Sequence, residues 1–135
     1  MTERRWALLY DGDCSFCQVC TAIVLANDRR RRLRPVPLDT PSASELLPGM
    51  DPAARMASWH LVAPDGRTWS GGAAVAPLLR LLPGGGPAAT VAERIPGVVD
   101  AAYRWAVRHR RRLGRLIPSR AKRWSVRRIA IASGL

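Results

Sequence analysis

Apolar residues come in short clusters whose spacing changes along the chain, and the changes mark the expected elements. Residues 5–10 form a nearly continuous apolar run stopped by Asp11-Gly12-Asp13, the pattern of a buried strand entering a tight turn. From Cys14 to about Arg32 there is no Gly or Pro, and Phe16, Cys17, Cys20, Ile23 and Val24 recur at helical spacing. A helix is expected there, with Asp13 as its N-cap and Arg29 to Arg32 in its last turn, where positive charge complements the helix dipole. Residues 33–39 alternate like a second strand, and Pro35 and Pro37 confine it to an edge. Thr40-Pro41-Ser42 opens a short helix through Leu47, and residues 50–55 add a further helical turn. Pro64-Asp65-Gly66 between the runs 58–63 and 67–70 predicts a hairpin. Residues 73–82 predict a helix carrying Pro77, and Pro83-Gly84-Gly85-Gly86-Pro87 then reads as a flexible break ending the compact unit.

The expected order is strand, helix, strand, helix, hairpin, helix. It demands a mixed sheet with helices on its faces, an α/β sandwich of minimal size. Beyond the break, residues 98–116 show an amphipathic helical pattern with Val99, Ala102, Tyr103, Ala106, Leu113 and Leu116 on one side, a stripe expected to dock on the domain. After Pro118, residues 122–131 suit a second short helix bearing Trp124, Val126, Ile129 and Ile131.

Charge separates these two parts. Of 135 residues, 22 are basic and 10 acidic, a net charge of +12; residues 1–96 hold 11 basic and 9 acidic side chains, whereas 97–135 hold 11 and 1. The division expected is a compact α/β domain over 1–95 and a basic helical tail over 96–135, partly docked on it. Arginines interleaved with Trp105 and Trp124 suit an anionic partner, a membrane surface ahead of nucleic acid, although an arginine-rich solvated face would show the same composition. No apolar run reaches the roughly 18 residues of a membrane span, and the N-terminus has no secretory signal pattern. The expected location is the cytoplasm, peripheral at the inner membrane face if the tail engages lipid.

The candidate chemistry sits in Cys14, Cys17 and Cys20, an odd number crowded too closely for a structural disulfide framework. Cys14-Ser15-Phe16-Cys17 falls where a strand runs into a helix. Free N–H groups and the dipole at a helix start stabilise a thiolate, so Cys14 is expected to have a lowered pKa and to attack, with Cys17, one turn further in and more buried, resolving the mixed disulfide. Metal binding and plain buried cysteines compete with that reading, but zinc or an iron–sulfur cluster would want a fourth ligand, and His60 and His109 are remote in sequence. Cys20 falls with the apolar residues and is expected to be a small buried hydrophobe.

Tyr10-Asp11-Gly12-Asp13-Cys14-Ser15-Phe16-Cys17 resembles the opening signature of the DCC family of thiol-disulfide oxidoreductases, whose Asp, Cys and Cys are here Asp11, Cys14 and Cys17. Asp65-Gly66 with Trp69-Ser70-Gly71-Gly72-Ala73-Ala74 resembles the family's hairpin and following helix, and Tyr103-Arg104-Trp105 with Arg108 and Arg110 its aromatic and basic C-terminal segment. The resemblance spans about residues 5–112. It implies a thioredoxin-like fold and redox activity, so that the residues and the resemblance together lead to an α/β thioredoxin-like redox domain with a basic helical extension, exchanging a dithiol and disulfide with a protein or small-molecule substrate and needing neither organic cofactor nor metal. The residues before the third strand, Arg55 to Ser58, lack the cis-proline of thioredoxins, so substrate geometry does not transfer. Asp11 is a candidate catalytic residue as proton acceptor for Cys17, or a turn residue that binds backbone N–H groups. The alternative to an enzyme is a redox-inactive basic adaptor using the same scaffold to hold an anionic partner.

Overall fold

A computed structural model describes residues 5–134. Strand β1 (Trp6–Tyr10) leads into helix α1 (Ser15–Asn27), which returns to β2 (Leu33–Pro37). Short helices α2 (Pro41–Leu46) and α3 (Pro52–Ala57) precede the hairpin of β3 (His60–Val62) and β4 (Thr68–Ser70). A 3-10 turn (Gly71–Ala74) then runs into α4 (Val75–Leu81), followed by α5 (Gly86–Arg94), α6 (Pro96–Leu116) and α7 (Ser119–Ala132).

The sheet order is β2-β1-β3-β4. β1 pairs parallel with β2, in register Leu8 to Pro35 and Tyr10 to Pro37, and antiparallel with β3. β2 is therefore an edge strand, where the two prolines cost no ladder bond on the open side. This βαβ unit followed by a ββα unit is a thioredoxin-like arrangement in a mixed four-stranded sheet flanked by helices, with a helical extension at its C-terminal end.

Alternation along β1 divides the core. Ala7 and Leu9 face α2 with Val36, Leu38, Ala43 and Leu47. Leu8 faces the other way, among Leu25, Leu61, Leu78 and Leu81, with Trp6, Trp59, Trp69 and Ile129 packed around them. His60, 1% exposed, is the polar member of β3: its Nε2–H donates to the Arg55 carbonyl at 2.9 Å, so its Nδ1 accepts the Ser70 hydroxyl at 2.6 Å.

Several boundaries differ from the sequence expectation for local reasons. α1 stops at Asn27 rather than near Arg32, because the buried Asp28 carboxylate takes the amides of Arg32 and Leu33 at 3.0 and 2.9 Å and turns the chain toward β2. Arg29 to Arg32 thus lie beyond the helix, and Arg31 has φ +52°. The cation at the α1 C-terminus comes instead from α7, where Arg128 donates to the Leu25 carbonyl at 3.3 Å. The break at 83–87 is a tight turn rather than a flexible end. Gly86-Pro87 already begins α5, whose Glu93 binds Arg80 of α4 at 2.7 Å. A side chain at Gly85 would place Cβ 1.9 Å from the Leu79 carbonyl oxygen, so only glycine closes this turn.

α6 and α7 both lie against α1. The inward line of α6 runs through Val99, Tyr103, Ala106, Val107, Arg110, Leu113 and Gly114, whereas Ala102 and Leu116 of the expected stripe point to solvent. α7 starts at Ser119 and turns Ser125 and Ile129 inward, leaving Val126 and Ile131 exposed.

Candidate active site

The turn that ends β1 places the first cysteine. The Asp11 carboxylate accepts the Asp13 amide at 3.0 Å, and the Cys14 amide reaches the Asp11 carbonyl at 3.3 Å. Cys14, not Asp13, is the N-cap of α1: its backbone is extended and its Sγ accepts the Cys17 amide at 3.3 Å. A sulfur in the capping position receives a helix-start N–H directly, taking up one of the amide donors that the first turn leaves unpaired. Gln18 steadies the same turn, its side-chain amide donating to the Gly12 carbonyl.

Cys17 and Cys14 are both half-buried, and both are free thiols. Burial foremost, then the hydrogen bond to Cys14 and its proximity, push the Cys17 thiol up to about 12, while Arg110 pulls in the opposite direction. Arg110 comes from the inward face of α6 and meets Asp11 at 3.4 Å. The carboxylate expected to serve Cys17 is thus engaged twice, by a turn amide on one oxygen and by a guanidinium on the other. Cys20 corrects the expectation of a buried hydrophobe: one side of it is exposed to solvent. Protein on its other side still raises its pKa, chiefly by desolvation.

Cys17 and Cys20 share a cavity of about 250 Å³ between α1, α6 and the end of β1. Its walls include Phe16, Val24, Trp59, Leu78, Tyr103 and Ala106, with Asp11 and Arg110 beside the cysteines. Tyr103 closes one end, its hydroxyl oxygen accepting the Trp59 amide at 3.1 Å. Two glycines let α6 come this close: Gly71 has φ +58° with the Tyr103 ring 3.3 Å from where a Cβ would stand, and a Cβ on Gly72 would lie 2.9 Å from the Asp100 Cα. The sequence reading reached Tyr103 through the apolar stripe of the 98–116 helix and the resemblance, and Arg110 through the resemblance alone. Their spacing with Ala106 along one helix face was the direct signal.

The family model for DCC1-like thiol-disulfide oxidoreductases matches residues 8–116, which takes in the three cysteines, the sheet from Leu8 of β1 onward and all of α6. The chain belongs to the DCC1-like thiol-disulfide oxidoreductase family. Comparison with curated proteins and with solved structures finds no match. As a family member this oxidoreductase exchanges thiols and disulfides through the Cys14 and Cys17 pair, acting on a thiol or disulfide substrate. Among the described residues no three His, Cys, Asp or Glu side chains gather where they could hold a metal ion, and no helix is long and apolar enough to cross a membrane.

Proposed function

We propose that Cys14 of this DCC1-like oxidoreductase attacks the substrate disulfide and that Cys17 resolves the product. The observation that carries this order is the capping contact, in which the Cys14 Sγ receives the Cys17 amide while the Cys17 thiol is held up at about 12. The Cys14 thiolate bonds to one substrate sulfur and expels the other as a thiolate, which takes a proton. Cys17, on losing its proton, attacks the Cys14 sulfur and releases the second substrate thiol. Two electrons and two protons pass from the protein dithiol to the substrate. Asp11 serves as a positioning residue, holding the turn through the Asp13 amide and holding Arg110 beside Cys17.

Redox titration with thiol trapping and mass spectrometry tests the assignment. A reversible Cys14 to Cys17 bridge and a Cys17→Ser variant that accumulates its adduct on Cys14 are expected. A Cys14→Ser variant with full exchange activity would sink it, and so would a bridge found only between Cys17 and Cys20.

A further part of the proposal concerns the division of labour and the location. Residues 1–95 supply the sheet and the cysteines, and the basic arm of 96–135 brings the enzyme to an anionic membrane surface at the cytoplasmic face. The outward side of α6 supports this. Trp105 and Leu116, 56% and 79% exposed, fall on one line with exposed Val98, and Arg104, Arg108, Arg111 and Arg115 form a parallel exposed line beside it. Apolar anchors flanked by guanidinium groups match a lipid interface better than a nucleic-acid backbone, which has no use for Leu116. Cosedimentation with phosphatidylglycerol vesicles, weakened by salt and by the pair Trp105→Glu and Leu116→Glu, is the expected result. Binding to duplex DNA but not to vesicles, indifferent to those substitutions, would replace the lipid with nucleic acid.

A further inference from the structure

The cavity beside the cysteines has a lining that matches some disulfides and opposes others. At about 250 Å³ it exceeds the roughly 150 Å³ that suffices for benzene in an apolar protein cavity. Its walls are aromatic and aliphatic side chains, among them Phe16, Val24, Leu78 and Tyr103, and Cys17 forms part of them. Arg110, the cation in the wall, is engaged by Asp11. A charged group entering here would exchange its water for a mostly apolar wall whose cation is already balanced by Asp11, whereas an alkyl or aryl group would gain by leaving water.

A second observation bears on the size of the substrate. Extended peptides dock beside strands by pairing with free backbone groups. Trp59, in the cavity wall immediately before β3, has its amide committed to the Tyr103 hydroxyl at 3.1 Å, so that donor is closed to an incoming strand. The site offers an apolar hole next to a thiol pair rather than a backbone ladder.

We propose that the substrate of this site is a low-molecular-weight disulfide with an apolar organic half, which occupies the cavity between α1 and α6 while its sulfur is bonded to Cys14. The inference rests on the reading that Cys14 attacks and Cys17 resolves. In the mixed disulfide the organic group lies past Cys17 in the cavity, and resolution frees it as a thiol. The net reaction is protein dithiol plus one disulfide giving protein disulfide plus two thiols, with nothing else consumed.

The experiment follows mixed-disulfide formation on the reduced full-length chain with diethyl, dipropyl and dibutyl disulfides, whose leaving thiols share nearly the same acidity, and with bis(2-hydroxyethyl) disulfide as the polar comparison. The second-order rate constant is expected to rise up to about fourfold for each methylene carried into the cavity. It should level off once the cavity is full, and Ala106→Phe, which occupies the same space, should flatten the series. A series independent of chain length, with the polar disulfide reacting as fast, would overturn the substrate assignment and leave the Cys14 mechanism standing. No exchange with any of the four would remove the Cys14 mechanism and this inference together. The wild-type series requires no variant to fold, and Ala106→Phe is interpreted only after its circular dichroism spectrum matches the parent's.

Discussion

At the residue scale the site turns on the contrast between two thiols one helical turn apart. Cys14 caps the helix and holds an amide; Cys17 lines the cavity, where loss of hydration keeps its proton on. Attack by Cys17 needs the thiolate, so the second half of the exchange depends on whatever favours its ionisation. Arg110 is that group, since its charge lowers the Cys17 pKa against burial and against Asp11. Replacing it as Arg110→Met is expected to lengthen the life of the mixed disulfide several-fold, up to about tenfold, and to move the pH profile of resolution to the alkaline side. Arg110→Lys should restore much of the rate. Quench-flow trapping of the adduct across pH checks this, and an unmoved profile would reduce Arg110 to a structural strut. The CxxC spacing made the cysteine pair legible in the sequence. The neighbour that tunes it was not, because Arg110 is 93 residues from Cys17 and one of 21 arginines whose composition looks alike.

At the element scale the glycines of Gly71-Gly72 determine how near α6 comes to the sheet. Adding a methyl at Gly72 meets backbone, the Asp100 Cα at 2.9 Å, so α6 must move. Gly72→Ala is expected to cost about 1–3 kcal/mol, measured by urea denaturation, and to slow exchange because Tyr103 and Arg110 travel with α6. Gly86→Ala is the comparison, since a Cβ there meets nothing within 4 Å. Equal stability of the Gly72 variant and the parent would mean that α6 is not held as described. The elements themselves were largely readable: β1, β2, the hairpin, α6 and α7 follow from periodicity and from turn residues. α5 was not anticipated. A Pro-Gly cluster reads as a linker, yet its last two residues, Gly86-Pro87, form the first turn of a helix, where proline is welcome. Cys20 was misplaced for a related reason: the pattern of a single helix shows which positions are apolar but not which of them a later helix will cover.

At the scale of the whole molecule, pH reports on the fold from both sides. Burial lowers the pKa of His60 from 6.5, so the unfolded chain binds the proton more readily and stability falls as pH drops below that value. Cys17 acts in the opposite range. Its folded value of about 12 stands above 9.0, so its contribution is complete below 9.0 and is lost as pH rises from there toward about 12. Denaturation midpoints measured across pH should form a plateau between these limits, and His60→Gln should weaken the acid slope; an unchanged acid slope in that variant would assign the loss to other groups. The order of elements apart from α5, the charge of the C-terminal arm and the redox pair are properties of neighbouring residues, set by chain geometry and solvation over a turn or two, and the sequence by itself determined them. The end of α1 at the Asp28 carboxylate, its capping by Arg128, the pairing of Asp11 with Arg110 and the cavity beside Cys17 join residues that share no local pattern. Only the tertiary structure decided these, because each depends on where α6 and α7 come to rest against α1, and that is settled by packing over the whole molecule.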